Sequence, residues 1–252
     1  MIRLRCLFLA VLLLLPAAAA FAADYEEPDI EFFYPVVTRR PVVERELEFK
    51  VEYEKNDEGR EVELAAAIEW AILPRWQVEV EFPLVILDPT EGPTIGGIGD
   101  IEIDNKVLLF KSVEHRLLVA AGVELKVPSG SQDRGLGGEL AVEPYLTAGI
   151  ALEPFDLIAE VAYEWVIDPE REEELSTGLA IGYPAWRWFT PFLEVRTQTP
   201  TLGEDQRTQV YLVPGFNVKP LPNVTLRAGV QLPVTDAKEF DYQVRFAGVW
   251  EF

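Results

Sequence analysis

Alternation with a period of two, renewed from residue 46 to the last residue, most constrains what this chain can fold into. The chain ends on EFDYQVRFAGVWEF, which puts Phe240, Tyr242, Val244, Phe246, Gly248, Trp250 and Phe252 on alternate positions. Asp241, Gln243, Arg245 and Glu251 alternate with them. Successive side chains of a strand point to opposite faces, so this segment reads as a strand with one aromatic and one polar face. The same pattern sets Leu47, Phe49, Val51 and Tyr53 against Glu46, Glu48, Lys50 and Glu52. It sets Val62, Leu64, Ala66, Ile68 and Trp70 against Glu63, Ala65, Ala67 and Glu69. Val78, Val80 and Phe82 alternate with Gln77, Glu79 and Glu81, and Ile101, Ile103 and Val107 with Asp100, Glu102, Asp104 and Lys106. Further segments begin near His115, Glu139, Leu157, Glu174, Phe189, Arg207, Val224 and Phe240. The pattern predicts about twelve strands of roughly nine to twelve residues, the length of a tilted membrane-spanning strand.

The connections point to a topology. KNDEGR, DPTEGPTIGG, PSGSQDRGLGG, DPEREE, TPTLGEDQ and TDAKE are long, acidic or glycine-rich, and they alternate with LPR, FKSVE, EPF, PAWR and KPLPN. Long loops at one end and tight turns at the other mark an all-β, closed, up-and-down antiparallel transmembrane barrel. An even strand number puts both termini at the tight-turn, periplasmic end. Aromatics gather there as an interfacial girdle of membrane anchors: Trp70, Trp76, Trp186, Trp188, Trp250 and Phe252. On this reading the aromatic face of the last strand, Phe240 included, meets lipid. A periplasmic β-sandwich shows the same alternation but requires neither the loop alternation nor the aromatic terminus. Pro144, Pro191 and Pro214 fall inside strand-like runs, where bulges or shifted strand ends are expected.

The other end of the chain is different. MIRLRCLFLAVLLLLPAAAAFAAD carries Arg3 and Arg5, an apolar run and then Ala20-Phe21-Ala22, the pattern of a secretory signal peptide over residues 1–22. An uncleaved anchor is the alternative. The single cysteine, Cys6, goes with that peptide, which excludes a disulfide scaffold and a thiol enzyme. Losing Arg3 and Arg5 leaves 20 basic against 43 acidic residues, which argues against nucleic acid as a partner. The expected partners are outer-membrane lipid, the barrel assembly machinery and an unidentified small solute. The barrel then spans residues 44–252. Residues 23–43, ADYEEPDIEFFYPVVTRRPVV, precede it as a periplasmic arm, a plug or a partner-binding segment. An arm is the simpler expectation, and Arg39-Arg40 beside an acidic barrel makes a plug plausible.

Catalysis has little to stand on. His115 is the one histidine, and no serine stands within two residues of it, so neither a hydrolase dyad nor a His or Cys metal site is expected. The acidic loops could hold Ca²⁺ weakly, and no cofactor is implied. TIGGIGDIEIDNK resembles a phosphate loop only superficially, because such a loop opens a helix and this one opens a strand. Its glycines are expected to let the chain turn at the outer rim. GLGGELAVEPYLTAG starts a similar passage at Gly135. With Gly97, Gly99, Asp100 and Lys106, the stretch resembles the strand-opening motif of the outer-membrane transporter family of the MetA pathway of phenol degradation. The resemblance extends, in overall plan, over nearly the whole mature chain. It implies a channel for small, often aromatic or hydrophobic, compounds.

The inward positions give a physical expectation of their own. Early strands contribute Glu48, Glu69, Glu81, Glu102, Asp104, Glu124, Glu143 and Glu160, with Lys50 and Lys106 among them. Late strands contribute Arg196, Arg227 and Arg245. These thirteen residues are expected to line the lumen, with acidic and basic walls facing each other across it. The function expected is a narrow channel that prefers cations or neutral solutes. A structural or adhesive barrel with a filled lumen is the alternative, and a membrane lipid hydrolase a further one.

Overall fold

The structure is a computed structural model that describes residues 30–138, 140–167, 173–184, 186–201 and 206–252. The expected signal peptide lies outside the described residues, as do residues 23–29 and Glu139. Among the described residues the strands are β1 (Glu46–Lys55), β2 (Gly59–Leu73), β3 (Trp76–Pro89), β4 (Ile95–Ile98), β5 (Ile101–Ser112), β6 (Leu117–Val127), β7 (Ala141–Leu152), β8 (Phe155–Val166), β9 (Glu174–Gly182), β10 (Phe189–Pro200), β11 (Gln209–Leu221), β12 (Val224–Pro233) and β13 (Tyr242–Glu251). The starts expected from the alternation fall within a couple of residues of these.

Every neighbouring pair is antiparallel. β1 pairs with both β2 and β13, and β2 also pairs with β3, so the ladder returns to its beginning. Twelve strands close the ring and β4 is an extra one. Closure removes the free edge whose N–H and C=O groups hydrocarbon could not satisfy. The pleat then sorts side chains: Glu46 and Glu48 are buried inside, whereas Phe49, Leu64, Phe82, Leu179, Phe216 and Phe246 are exposed outside. An apolar exterior that continues around the ring requires an apolar solvent. Among the described residues no helix is long and apolar enough to cross a membrane; the strands do the crossing.

Three expectations need correction. β2, β3 and β11 run to 15, 14 and 13 residues rather than nine to twelve. β5 pairs only with Trp76–Glu81 of β3, and the short β4 covers Leu84–Leu87 above it, so the hairpin extends past the ring. Phe240 does not meet lipid: it precedes β13, is buried, and stacks on Tyr211 at 4.7 Å. The remaining alternate members, Tyr242 to Phe252, do face outward where their side chains are large. Finally, Pro144 and Pro214 sit neither at bulges nor at strand ends. The β7–β8 ladder skips Glu143 and Pro144, and the β11–β12 ladder skips Val213 and Pro214, with the register unchanged on either side. Each proline keeps its pairing on one flank and lacks a donor on the flank where the ladder lapses. Pro191 is the last β10 residue before pairing with β9 begins at Phe192.

Candidate functional site

The lumen is crossed by the chain itself. Residues 30–44 form no helix or strand, yet Ile30, Phe32, Phe33, Tyr34, Val36, Val42 and Val43 are all buried. An irregular backbone can be buried only if its polar groups find partners. Here the barrel wall supplies them. The Asn217 side chain accepts from the Tyr34 N–H and donates to the Tyr34 carbonyl, both at 2.7 Å. Glu194, fully buried, accepts from the N–H groups of Val36 (2.7 Å), Val37 (3.3 Å) and Thr38 (2.8 Å). Glu160 takes the Arg39 N–H at 2.5 Å, and Gln77 the Glu44 N–H at 2.7 Å. Arg227 and Arg245 donate to the carbonyls of Pro35 and Val36, and Thr147 to that of Arg39. Pro35 and Pro41 have no N–H to satisfy, and both are fully buried.

The wall is also cut to the shape of this segment. A Cβ added to Gly149 on β7 would lie 2.9 Å from the Phe32 ring, one on Gly178 of β9 2.9 Å from Thr38 Oγ1, and one on Gly229 of β12 2.9 Å from Val36. A Cβ on Gly182 would overlap the Phe33 ring, which stacks at 5.4 Å on Phe192. Small inward residues and inward hydrogen-bonding side chains thus follow one path across the barrel.

Two vestibules lie on either side. The one at the tight-turn end has a volume of about 910 Å³ and is lined by Phe32, Phe33, Tyr34, Trp186, Trp188, Phe189 and Phe252, with Arg45, Arg116 and Lys219. The one at the long-loop end has a volume of about 580 Å³ and is polar, lined by more than a dozen carboxylates. Tyr34, Arg40 and Glu44 border both.

All thirteen expected lumen residues lie on the inner wall, and all but Glu160 border the long-loop vestibule. They are not two open walls. Arg227 pairs with Glu48, and Arg245 with Glu52 at 3.0 Å, across the β1–β13 seam. Lys50 contacts Glu81 as well as Glu48 and Glu79 at 3.6 Å, and Lys106 lies 3.7 Å from Glu69. Lys126 lies 3.5 Å from Glu102, and the Tyr145 hydroxyl donates to Asp104 at 2.7 Å. The expected transverse field is therefore largely neutralised by lateral ion pairs. Glu124, Glu143 and Glu160 instead surround Arg39, at 2.8, 2.6 and 2.8 Å, with Arg196 4.0 Å from Glu160. Burial works against the Arg39 charge, but these three carboxylates outweigh it and hold the guanidinium well above its ordinary pKa. Arg40 contacts Glu44 and stacks over Tyr34 at 3.3 Å.

The glycine-rich motif has a different role from the expected turn. Neither Gly97 nor Gly99 has a positive φ; Gly92 and Gly135 do. Their need is space: a Cβ on Gly97 would lie 2.8 Å from Leu136, and one on Gly99 2.9 Å from Val85. Asp100, buried, accepts from the N–H groups of Ser129 (3.0 Å), Gly130 (2.9 Å) and Gly138 (2.5 Å), clasping the β6–β7 loop over the β4–β5 corner. The anchors Trp70, Trp186, Trp188, Trp250 and Phe252 are exposed at the tight-turn rim, and Trp76 is half-buried there. Trp165, exposed near the opposite rim, was not among them. Sequence reasoning also missed Ser112, whose hydroxyl lies 3.0 Å from His115 Nδ1. It accepts the His115 N–H at 3.3 Å and closes an exposed four-residue turn. The contact organises that turn, and no wall surrounds it. Glu194, Asn217 and Gln77, the residues that hold the crossing segment, carried no motif; their one signal was a polar side chain at an inward position of an alternating strand.

A closed twelve-strand ring, apolar outside and charged inside, with tight turns at one rim, is a membrane-spanning β-barrel of the outer-membrane, porin-like kind. Among solved structures, the NanC porin in a rhombohedral crystal form is similar to this chain with a TM-score of 0.58 and 12% identity, over 82% of this chain and 99% of its own. The KdgM porin gives 0.56 at 12% identity over 82% and 99%. LpxR from Salmonella typhimurium gives 0.56 at 9% identity over 82% and 100%. At these identities the likeness is one of fold. No protein-family model matches the chain, and no curated protein matches it.

Proposed function

We propose that the protein is a non-catalytic outer-membrane channel for small solutes whose lumen is closed by its own residues 30–44. The observation that carries this reading is the position of that segment between two vestibules, with its backbone bonded to wall side chains. A lumen merely filled for stability has no need of large open chambers on both sides of the filling, one aromatic and one polar. The signal peptide and the aromatic C-terminal strand fit export and assembly in the outer membrane, with lipid and the assembly machinery as partners. The aromatic lining of the tight-turn vestibule supports solutes with an apolar or aromatic part, as the resemblance to the phenol-degradation transporters implies. The acidic long-loop vestibule supports cations and neutral molecules over anions.

Planar-bilayer conductance tests this on refolded residues 23–252 and on residues 45–252, with folding of each verified by heat-modifiable migration. The longer chain is expected to conduct briefly or weakly, and the shorter one in steady, cation-selective steps. A folded but silent 45–252 barrel would favour the filled structural barrel, and chloride selectivity would overturn the charge argument.

A further inference from the structure

We propose that the solute entering from the long-loop side carries a guanidinium group, and that it docks by replacing the Arg39 side chain in a cage of Glu124, Glu143, Glu160 and Tyr145. The inference rests on the channel reading above and names its substrate class.

The cage has the chemistry of a guanidinium receptor. Arg39 Nη1 donates to Glu160 at 2.8 Å, and Nη2 to Glu124 at 2.8 Å and Glu143 at 2.6 Å. The guanidinium carbon lies 4.6 Å from the centroid of the Tyr145 ring. Planar forked donors met by carboxylates, with an aromatic face at the side, select guanidinium over a compact ammonium. Three carboxylates surround this one guanidinium, and of the three the neighbouring Arg196 reaches only Glu160, at 4.0 Å. Asp104, more than nine-tenths buried and directly across the ladder from Glu124, uses Oδ2 for the Tyr145 hydroxyl and leaves Oδ1 without a hydrogen-bond partner. That unpaired oxygen is a second, independent sign of capacity for a cationic ligand beyond what Arg39 provides.

The site is reachable. The Arg39 side chain keeps 23% of its surface accessible, and it borders the long-loop vestibule. Glu54, Glu63, Glu164, Glu174 and Glu239 stand around the same vestibule. Clustered carboxylates in a narrow chamber raise the local concentration of cations. The consequence for gating follows from connectivity. Arg39 belongs to the crossing segment, so a guanidinium that takes its place removes one of the tethers that hold residues 30–44 across the lumen. The segment then behaves as a tethered mimic of the solute.

The test measures binding directly, by titration calorimetry on refolded residues 23–252 with methylguanidinium, and with methylammonium as the control. Arg39→Ala empties the cage and is expected to bind methylguanidinium at least about tenfold more tightly than the unaltered chain and than it binds methylammonium. Adding Glu143→Gln should abolish the gain. If Arg39→Ala does not fold, Arg39→Gln keeps the side-chain length without the charge and serves in its place. Binding that shows no preference for methylguanidinium, or that ignores Glu143→Gln, overturns the inference. In the bilayer, agmatine added at the long-loop side should raise the open fraction of the unaltered chain. Steady conduction by residues 45–252 without any guanidinium binding would overturn this inference alone. Cage binding in a barrel that stays silent even without its segment would overturn the channel reading and leave the cage as a binding site.

Discussion

Glu194→Gln should release the lumenal segment while leaving the barrel intact. Glu194 is fully buried and its two carboxylate oxygens accept three backbone N–H groups of residues 36–38, at 2.7, 3.3 and 2.8 Å. Glutamine retains one acceptor oxygen and turns an NH₂ group toward backbone donors. One or two of the three bonds are lost, and hydrogen bonds to a charged group are worth about 1.5–3 kcal/mol each. The net loss is about 2–4 kcal/mol, because the oxygen that remains still serves at least one donor. At one decade per 1.36 kcal/mol, that shifts the docked-to-released ratio by about 30- to 900-fold. Two assays report it. The first is the open fraction in a planar bilayer. The second is thiol labelling of Val36→Cys, a buried position packed against Gly229, in refolded residues 23–252, which do not include Cys6, the one cysteine of the sequence. When closing is fast, labelling tracks the released population. Both signals should rise together within that range. A folded Glu194→Gln barrel with neither signal changed would refute the assignment of Glu194 as the clasp of the segment.

Gly182→Ala places a methyl group in the volume of the Phe33 ring, so it should raise Val36→Cys labelling at least about tenfold; Phe33→Leu in the same chain should reverse much of the rise. Asp100→Ala strips the acceptor from three loop N–H groups. Tryptic cleavage after Arg134 should accelerate while heat-modifiable migration of the barrel stays as it was. Phe246→Arg puts a charge on the outer face of β13, where Phe246 is exposed between Val51 and Ala228. It should cost about 2–4 kcal/mol in urea unfolding from lipid vesicles, and a cost near zero would count against a lipid-facing position.

Much of this architecture was written in the order of residues. A period of two requires no tertiary information, because the pleat alone sends neighbours to opposite faces. The strand count, the strand starts, the outward aromatics from Tyr242 to Phe252 and the inward position of residues such as Glu48, Asp104 and Arg245 therefore follow from the chain itself. Loop alternation added the up-and-down order, and a hydrocarbon surrounding then demanded closure.

Three things were decided only by the fold. One is which charges meet: Glu48 with Arg227 and Glu52 with Arg245 are separated by most of the chain and become neighbours because β1 closes on β13. Another is why certain glycines stand where they do, since Gly97 and Gly99 answer to Leu136 and Val85 rather than to a turn. The last is the place of residues 30–44. Nothing periodic marks them, for they form no ladder of their own. Their partners come one at a time from strands around the ring, from Gln77 on β3 to Arg245 on β13. Local patterns report local repeats. A segment satisfied by single side chains from many strands has none to report, and its position exists only once the ring has closed around it.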